Sequence, residues 1–361
     1  MTRAVHQFVP TYEPGAVGAH LAQVQRLLVD RGYESEVFTE HLHPSFTGRA
    51  RPFTEYGREA PAGADDVLLY QSAIGSVVGD FVLARPEPLV VNHHNITPIE
   101  HFAAWDPDII WGLQWGFQQL EALAPRTRLA IAVSEFNRAD LVQLGYADTA
   151  VVPILLDPAE LLSEPDPEVA ANLAAARDAG GAQWLFVGRV APNKAQHDLV
   201  KAFALYRRVY DPHARLQIVG GPASSSYWGA LERFIRVLGV GDAVELTGSM
   251  SSGGLAAEYA HADVLVCLSE HEGFCVPLLE AMLAEVPIVA FAAAAVPETL
   301  GDAGLLLSEK SPATVAAAVH RVLTDSALRN RLVAAGSARV RDFALDRTRE
   351  QFMAALEPVL A

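Results

Sequence analysis

Short apolar runs alternate with amphipathic stretches along most of this chain. Residues 4–9, 36–38, 67–70, 89–91 and 129–133 have the length and β-branched content of buried parallel strands. Between the first two runs, Leu21, Val24, Leu27 and Leu28 share one face of an expected helix over 19–31. Gly32 follows as its stop. A second series of strands is expected at 184–187, 216–219, 244–246, 263–268 and 288–290. Alternating strands and helices imply parallel sheets with helices on both faces. The rhythm breaks over 153–182, where Pro153, Pro158, Pro165 and Pro167 precede an Ala-rich stretch and Gly180-Gly181. The chain therefore divides into an N-terminal domain, 1–165, and a C-terminal domain, 170–345. Residues 346–361 are expected to return to the first domain as a helix with Phe352, Met353 and Leu356 on its apolar face. Residues 44–63, rich in Pro, Gly and Arg, read as a long surface loop.

Composition narrows the choice of partner. A length of 361 residues and 51% hydrophobic content suffice for two cores. The net charge of −16 argues against nucleic acid and against strong adhesion to anionic lipid. Cys267 and Cys275 are the two cysteines. Their spacing fits neither a metal knuckle nor a redox pair, and their number fits a reducing compartment. The most apolar stretch, 286–296, is too short to span a bilayer, and the first residues lack a signal-type apolar core. A cytoplasmic protein is expected; its oligomeric state is open.

The chemistry concentrates after particular strands. Glu272-Gly-Phe-Cys-Val-Pro-Leu-Leu-Glu280 follows the run at 263–268. Pro277 suits a first helical turn. The N–H groups of Gly273, Phe274, Cys275 and Val276 would then face an anion above the strand ends. Glu272 and Glu280 would meet hydroxyls, so the segment suits a nucleotide sugar. Gly188-Arg-Val-Ala-Pro-Asn-Lys194 lies at another strand end, where Arg189 and Lys194 suit a diphosphate. Gly15-Ala16-Val-Gly18 is a weaker turn signal. In Asn92-His-His-Asn-Ile-Thr-Pro98, one histidine is expected to hydrogen-bond a ligand and the other to pack. His41 and His43 read as surface, and Asp106-Pro-Asp108 as a turn. Ser134 lacks a nucleophile elbow, and no Gly-x-Gly-x-x-Gly follows the first strand.

These motifs resemble those of retaining glycosyltransferases of family 4, which have the GT-B fold, over nearly the whole chain. Glu272 to Glu280 matches the Glu-x7-Glu signature, and Gly188-Arg189 with Lys194 resembles the diphosphate loop. Gly220-Gly-Pro222 and Val244 to Gly248 resemble donor-domain strand ends. His94-Asn-Ile-Thr-Pro98 resembles a polysaccharide-related subgroup. The resemblance implies an α/β fold with two doubly wound Rossmann-like domains facing across a cleft. It implies that His94 contacts the transferred sugar, Arg189 and Lys194 hold the diphosphate, and Glu272 binds sugar hydroxyls. Glu280 would bind the ribose. Gly15, Ala16, Gly188 and the amides from Gly273 to Val276 would complete the donor site. The family usually has two glycines where Gly15-Ala16 stands, which would strain Ala16 at positive φ. The implied reaction moves a sugar from a nucleotide-diphosphate sugar to a small-molecule or glycan acceptor, with retention, no metal and no cofactor. An epimerase or phosphorylase on the same fold, and a non-catalytic nucleotide-sugar-binding protein, are the competing readings.

Overall fold

The computed structural model describes the chain except residues 1, 2, 59–62, 64, 162 and 179. It forms two compact units. The first holds Met1–Glu100, Pro107–Asp157 and Phe343–Ala361; the second holds His101–Asp106 and Pro158–Asp342.

The first unit is built on seven strands: β1 (Val5–Tyr12), β2 (Val37–Leu42), β3 (Arg51–Pro52), β4 (Val67–Ser72), β5 (Leu89–His93), β6 (Thr127–Ala132) and β7 (Thr149–Val151). All pair in parallel, in the order β3-β2-β1-β4-β5-β6-β7. β1 and β4 are almost wholly buried, which explains their continuous apolar composition. The helix Ala16–Asp30 lays Leu21, Val24, Leu27 and Leu28 on this sheet. Its first residue is Ala16; the positive φ (137°) belongs to Gly15, so Ala16 is unstrained. Gly18 is required by close approach, since a Cβ there would stand 2.0 Å from the Glu13 carbonyl oxygen.

The second unit has six strands: β8 (Gln183–Val187), β9 (Arg215–Val219), β10 (Val244–Gly248), β11 (Val264–Cys267), β12 (Ile288–Phe291) and β13 (Leu305–Leu307). These too are parallel, in the order β10-β9-β8-β11-β12-β13. Trp184, Phe186, Phe203, Leu216, Ile218 and Val319 anchor the core on one face of this sheet.

In each sheet the winding direction reverses once, between β1 and β4 and between β8 and β11. The carboxyl ends of strands at such a reversal are where doubly wound sheets bind ligands.

The units part at Asp157/Pro158, within the proline cluster and earlier than the division expected between 165 and 170. Pro158 and Pro167 each open a helix, and Asp166 binds its backbone N–H to the carbonyl of Gly253. Residues 158–166 thus belong to the second unit. The C-terminal helix Leu345–Leu360 buries Phe352, Met353, Leu356 and Val359 in the core of the first unit. The stretch from 44 to 58 is not only loop. It contains β3 and two 3-10 turns, and Tyr56 packs edge-on against His6, Phe8 and Phe38. Residues 59–62 of the expected loop lie outside the described residues.

Candidate active site

In the second unit, the expected donor residues gather at the reversal between β8 and β11. Gly188 ends β8 at φ 145°, and Gly220 ends β9 at φ 142°. Their backbones touch: a Cβ on Gly220 would lie 2.1 Å from the Gly188 oxygen. Arg189 follows, exposed, with a guanidinium that makes no hydrogen bond among the described residues. The 3-10 turn Pro192–Lys194 then passes through a left-handed Ala195 (φ 51°) into the helix Gln196–Val209.

This turn is stapled to the loop after β11. Asn193 donates from its side chain to the His271 carbonyl at 3.1 Å, and its own carbonyl accepts from the Glu270 N–H at 2.8 Å. The staple brings Lys194 Nζ to 2.5 Å from Glu272 Oε2. Both side chains are largely shielded, at 18% and 10% exposure. Two motifs 78 residues apart in sequence therefore supply one ion pair. An ammonium and a carboxylate so paired offset each other's charge where little solvent reaches, and can be re-partnered by phosphate and hydroxyl ligands.

After Glu272 the chain turns through Cys275, which has φ 71°. It then enters the helix Val276–Leu283 with Pro277 in the first turn. Thr299 holds the turn by donating its hydroxyl to the Phe274 carbonyl at 2.5 Å. The N–H groups of Gly273, Cys275 and Val276 have no hydrogen-bond acceptor among the described residues. They are available to an anion. Glu280, on the buried side of this helix, accepts from the Tyr259 hydroxyl at 2.7 Å. Burial raises its carboxyl to about 7, the Tyr259 hydrogen bond opposing this only in part.

Cys267 and Cys275 are closer than their spacing suggested. Their sulfurs lie 3.8 Å apart, because the turn folds Cys275 back over the end of β11. Among the described residues these two and Glu272 are the one group of three with metal-ligand atoms together. His41, His43, Asp106 and Asp108 form no such group. His43 instead caps a 3-10 turn through Ser45, and Ser134 caps the helix Glu135–Gln143.

In the first unit, His94 follows β5 and joins a buried chain of side-chain amides. Gln7 donates to the Leu21 carbonyl (3.0 Å), so its oxygen faces Gln71, which donates to it (2.9 Å). The Gln71 oxygen then faces His94 Nε2 at 2.7 Å. A carbonyl oxygen there places the His94 proton on Nε2 and leaves Nδ1 a bare acceptor. Nδ1 has no partner among the described residues. Burial, then the neighbouring His20, holds His94 well below the ordinary histidine range, so it stays neutral. His20 is itself pushed down to about 3 by burial. Sequence reading missed Gln7, His20 and Gln71 here, and Asn193, Tyr259 and Thr299 in the second unit. The one available signal was polar residues inside otherwise apolar runs.

Two doubly wound parallel domains, one with paired cation and carboxylate at its strand reversal, define the GT-B class of nucleotide-sugar enzymes. Solved structures of this architecture agree in fold. Sucrose-phosphate synthase from Thermosynechococcus elongatus superposes with a TM-score of 0.77 over 99% of both chains, at 18% identity. Anabaena HepE in complex with UDP-glucose does so with a TM-score of 0.74 over 98% of this chain and 99% of that one, at 20% identity. Residues 175–339 match the family described as Glycosyl transferases group 1. A D-inositol 3-phosphate glycosyltransferase of Actinosynnema mirum is 32% identical over 96% of this chain and 92% of its own length. The chain belongs to this glycosyltransferase family, and it transfers a sugar from a nucleotide-diphosphate sugar to an acceptor.

Proposed function

We propose that the chain is a retaining, metal-independent glycosyltransferase of family 4 whose donor sits on the C-terminal domain. The observation that carries the reading is the Lys194–Glu272 contact at the β8–β11 reversal. Arg189 and Lys194 neutralise the charge that grows on the leaving diphosphate, assisted by the free amides of Gly273, Cys275 and Val276. Glu272 takes sugar hydroxyls once Lys194 turns to phosphate, and Glu280 takes the ribose. His94 accepts a sugar hydroxyl at Nδ1. With no carboxylate assigned as a nucleophile, the acceptor hydroxyl attacks on the face the diphosphate leaves, and a phosphate oxygen takes its proton. Configuration is then retained.

The acceptor is assigned to the N-terminal domain, its candidate elements being the Gly15–Gly18 turn, which also borders the donor, the segment 44–63 and the segment after His94. The Actinosynnema relative's name makes inositol phosphate the first acceptor to try. The unbonded cysteines favour a reducing, cytoplasmic location. Among the described residues no helix is long and apolar enough to cross a membrane. A donor panel scored by nucleotide release, with product stereochemistry read by NMR, tests the reading. Release with retained configuration and undiminished by chelator is expected. Inverted product, or a strict need for divalent metal, would overturn it.

A further inference from the structure

The thiols of the two cysteines beside Glu272 have no part in the transfer reaction, yet their geometry is specific. β11 ends on Cys267, and the turn brings Cys275 back with its backbone in the left-handed region, φ 71°. Such a conformation is unfavourable for a residue with a side chain and persists where surrounding structure imposes it. The result is two buried thiols with sulfurs 3.8 Å apart and a carboxylate oxygen of Glu272, all within 4.8 Å of one another. The sulfurs are not bonded, since a disulfide needs about 2.05 Å. Two sulfurs on a tetrahedral zinc ion, each about 2.3 Å from the metal, stand about 3.8 Å apart.

We infer that Cys267, Cys275 and Glu272 form a binding site for a thiophilic divalent cation, zinc being the best match, and that its occupation closes the donor site. Two thiolates and one carboxylate oxygen are a donor set that favours zinc over magnesium or calcium. The charges also balance. Two thiolates and Glu272 carry three negative charges; a divalent ion and Lys194, 2.5 Å from Glu272, carry three positive ones. A neutral assembly is what a shielded pocket tolerates. The ion displaces one proton from each thiol on binding. Three protein ligands leave one position for water. No redox change is involved. The inhibitory consequence rests on Glu272 serving the sugar, as proposed above; the metal site itself does not.

The test uses the full, reduced, metal-free chain and Co2+ as the probe. Because the chain has only these two cysteines, any thiolate-to-cobalt charge-transfer band reports on them alone. A saturable band with intense tetrahedral ligand-field absorption, displaced by Zn2+, is expected. Cys267→Ser should abolish or sharply reduce it, and Glu272→Gln should weaken Co2+ binding at least about tenfold. Absence of a thiolate band in the wild-type chain overturns the site whatever the variants do, and leaves the donor assignment standing. In the second arm, Zn2+ at the concentration that displaces cobalt should abolish nucleotide release, and chelator should restore it. Cys267→Ser, which removes no donor contact, should keep its release and lose the sensitivity to zinc. A cobalt band together with release indifferent to zinc would overturn the closing of the site, and with it the role of Glu272.

Discussion

At the scale of single residues, two buried titratable groups lead to opposite expectations about pH. Glu280 has its carboxyl raised to about 7, so its charge, and its strength as a ribose acceptor, fades as pH falls below neutrality. Donor affinity should fall below pH 7, approaching about tenfold per unit. His94 is neutral throughout, so it should add no limb between pH 5 and 8. Donor titrations from pH 5.5 to 8.5 check both. In Glu280→Gln the limb should vanish, with weaker binding at pH 8. Persistence of the limb would assign it to another group. The stability effect has the reverse sign. A carboxyl raised on folding stabilises below its unfolded value and loses that contribution as pH rises through its folded value. Glu258, also raised to about 7 by burial, shows this apart from the site. Glu258→Gln should stabilise the fold at pH 8, by about 2–3 kcal/mol at most, and change little at pH 4.5, as read from thermal melts at the two pH values. Turnover tests the cations. Arg189→Ala and Lys194→Ala should lower kcat by orders of magnitude, since charge on the diphosphate is greatest in the transition state. The site carboxylates and cations were legible in sequence because they punctuate strand ends. Gln7 and Gln71 were not, because each sits in a buried strand and acquires its role through residues distant in sequence, 64 positions between the two and 23 from Gln71 to His94.

At the scale of elements, legibility followed length and burial. The long buried strands of both sheets read directly from their apolar runs. β3 is two residues, Arg51 and Pro52, and its composition is that of a loop. β7 and β13, three residues each, are too short to carry a period, and pairing with a neighbour creates them. The turn at 272–275 was visible as Gly and Pro around two acids. What holds it was not: the Thr299 hydroxyl comes from a different helix and is 1% exposed. Thr299→Val keeps the shape and removes the donor, leaving the Phe274 carbonyl without that partner. A loss of about 1–3 kcal/mol is expected. Because the turn carries both Glu272 and the free amides, the donor KM should rise as well. Thermal melts with and without nucleotide diphosphate separate the two effects. A variant that melts early but binds nucleotide normally would make Thr299 a structural prop only.

At the scale of the molecule, the chain ends in the unit where it began. The helix Leu345–Leu360 is amphipathic in sequence, which indicated that it packs somewhere. Its apolar face shares one buried cluster with Val5, Val67, Leu69, Val90 and Ile131 of the first sheet and Val24 of the helix Ala16–Asp30. Arg3 adds hydrogen bonds to the carbonyls of Val359 and Leu360, and Arg349 pairs with Asp30. Two segments whose hydrogen-bonded residues stand 319 to 357 positions apart therefore complete one core, while the second unit is built from residues in between. This has a testable consequence for stability. Leu356 is fully buried, and Leu356→Ala should cost about 2–5 kcal/mol through lost burial and the cavity left behind. That loss belongs to the first unit. Hydrogen exchange followed by mass spectrometry should therefore speed in β1, β4 and β5 and stay unchanged in β8, β9 and β11. Donor binding, assigned to the second unit, should survive at temperatures where the first unit of the variant has begun to open. Equal acceleration in both sheets would mean that the two units unfold as one cooperative body, and that the C-terminal helix stabilises all of it.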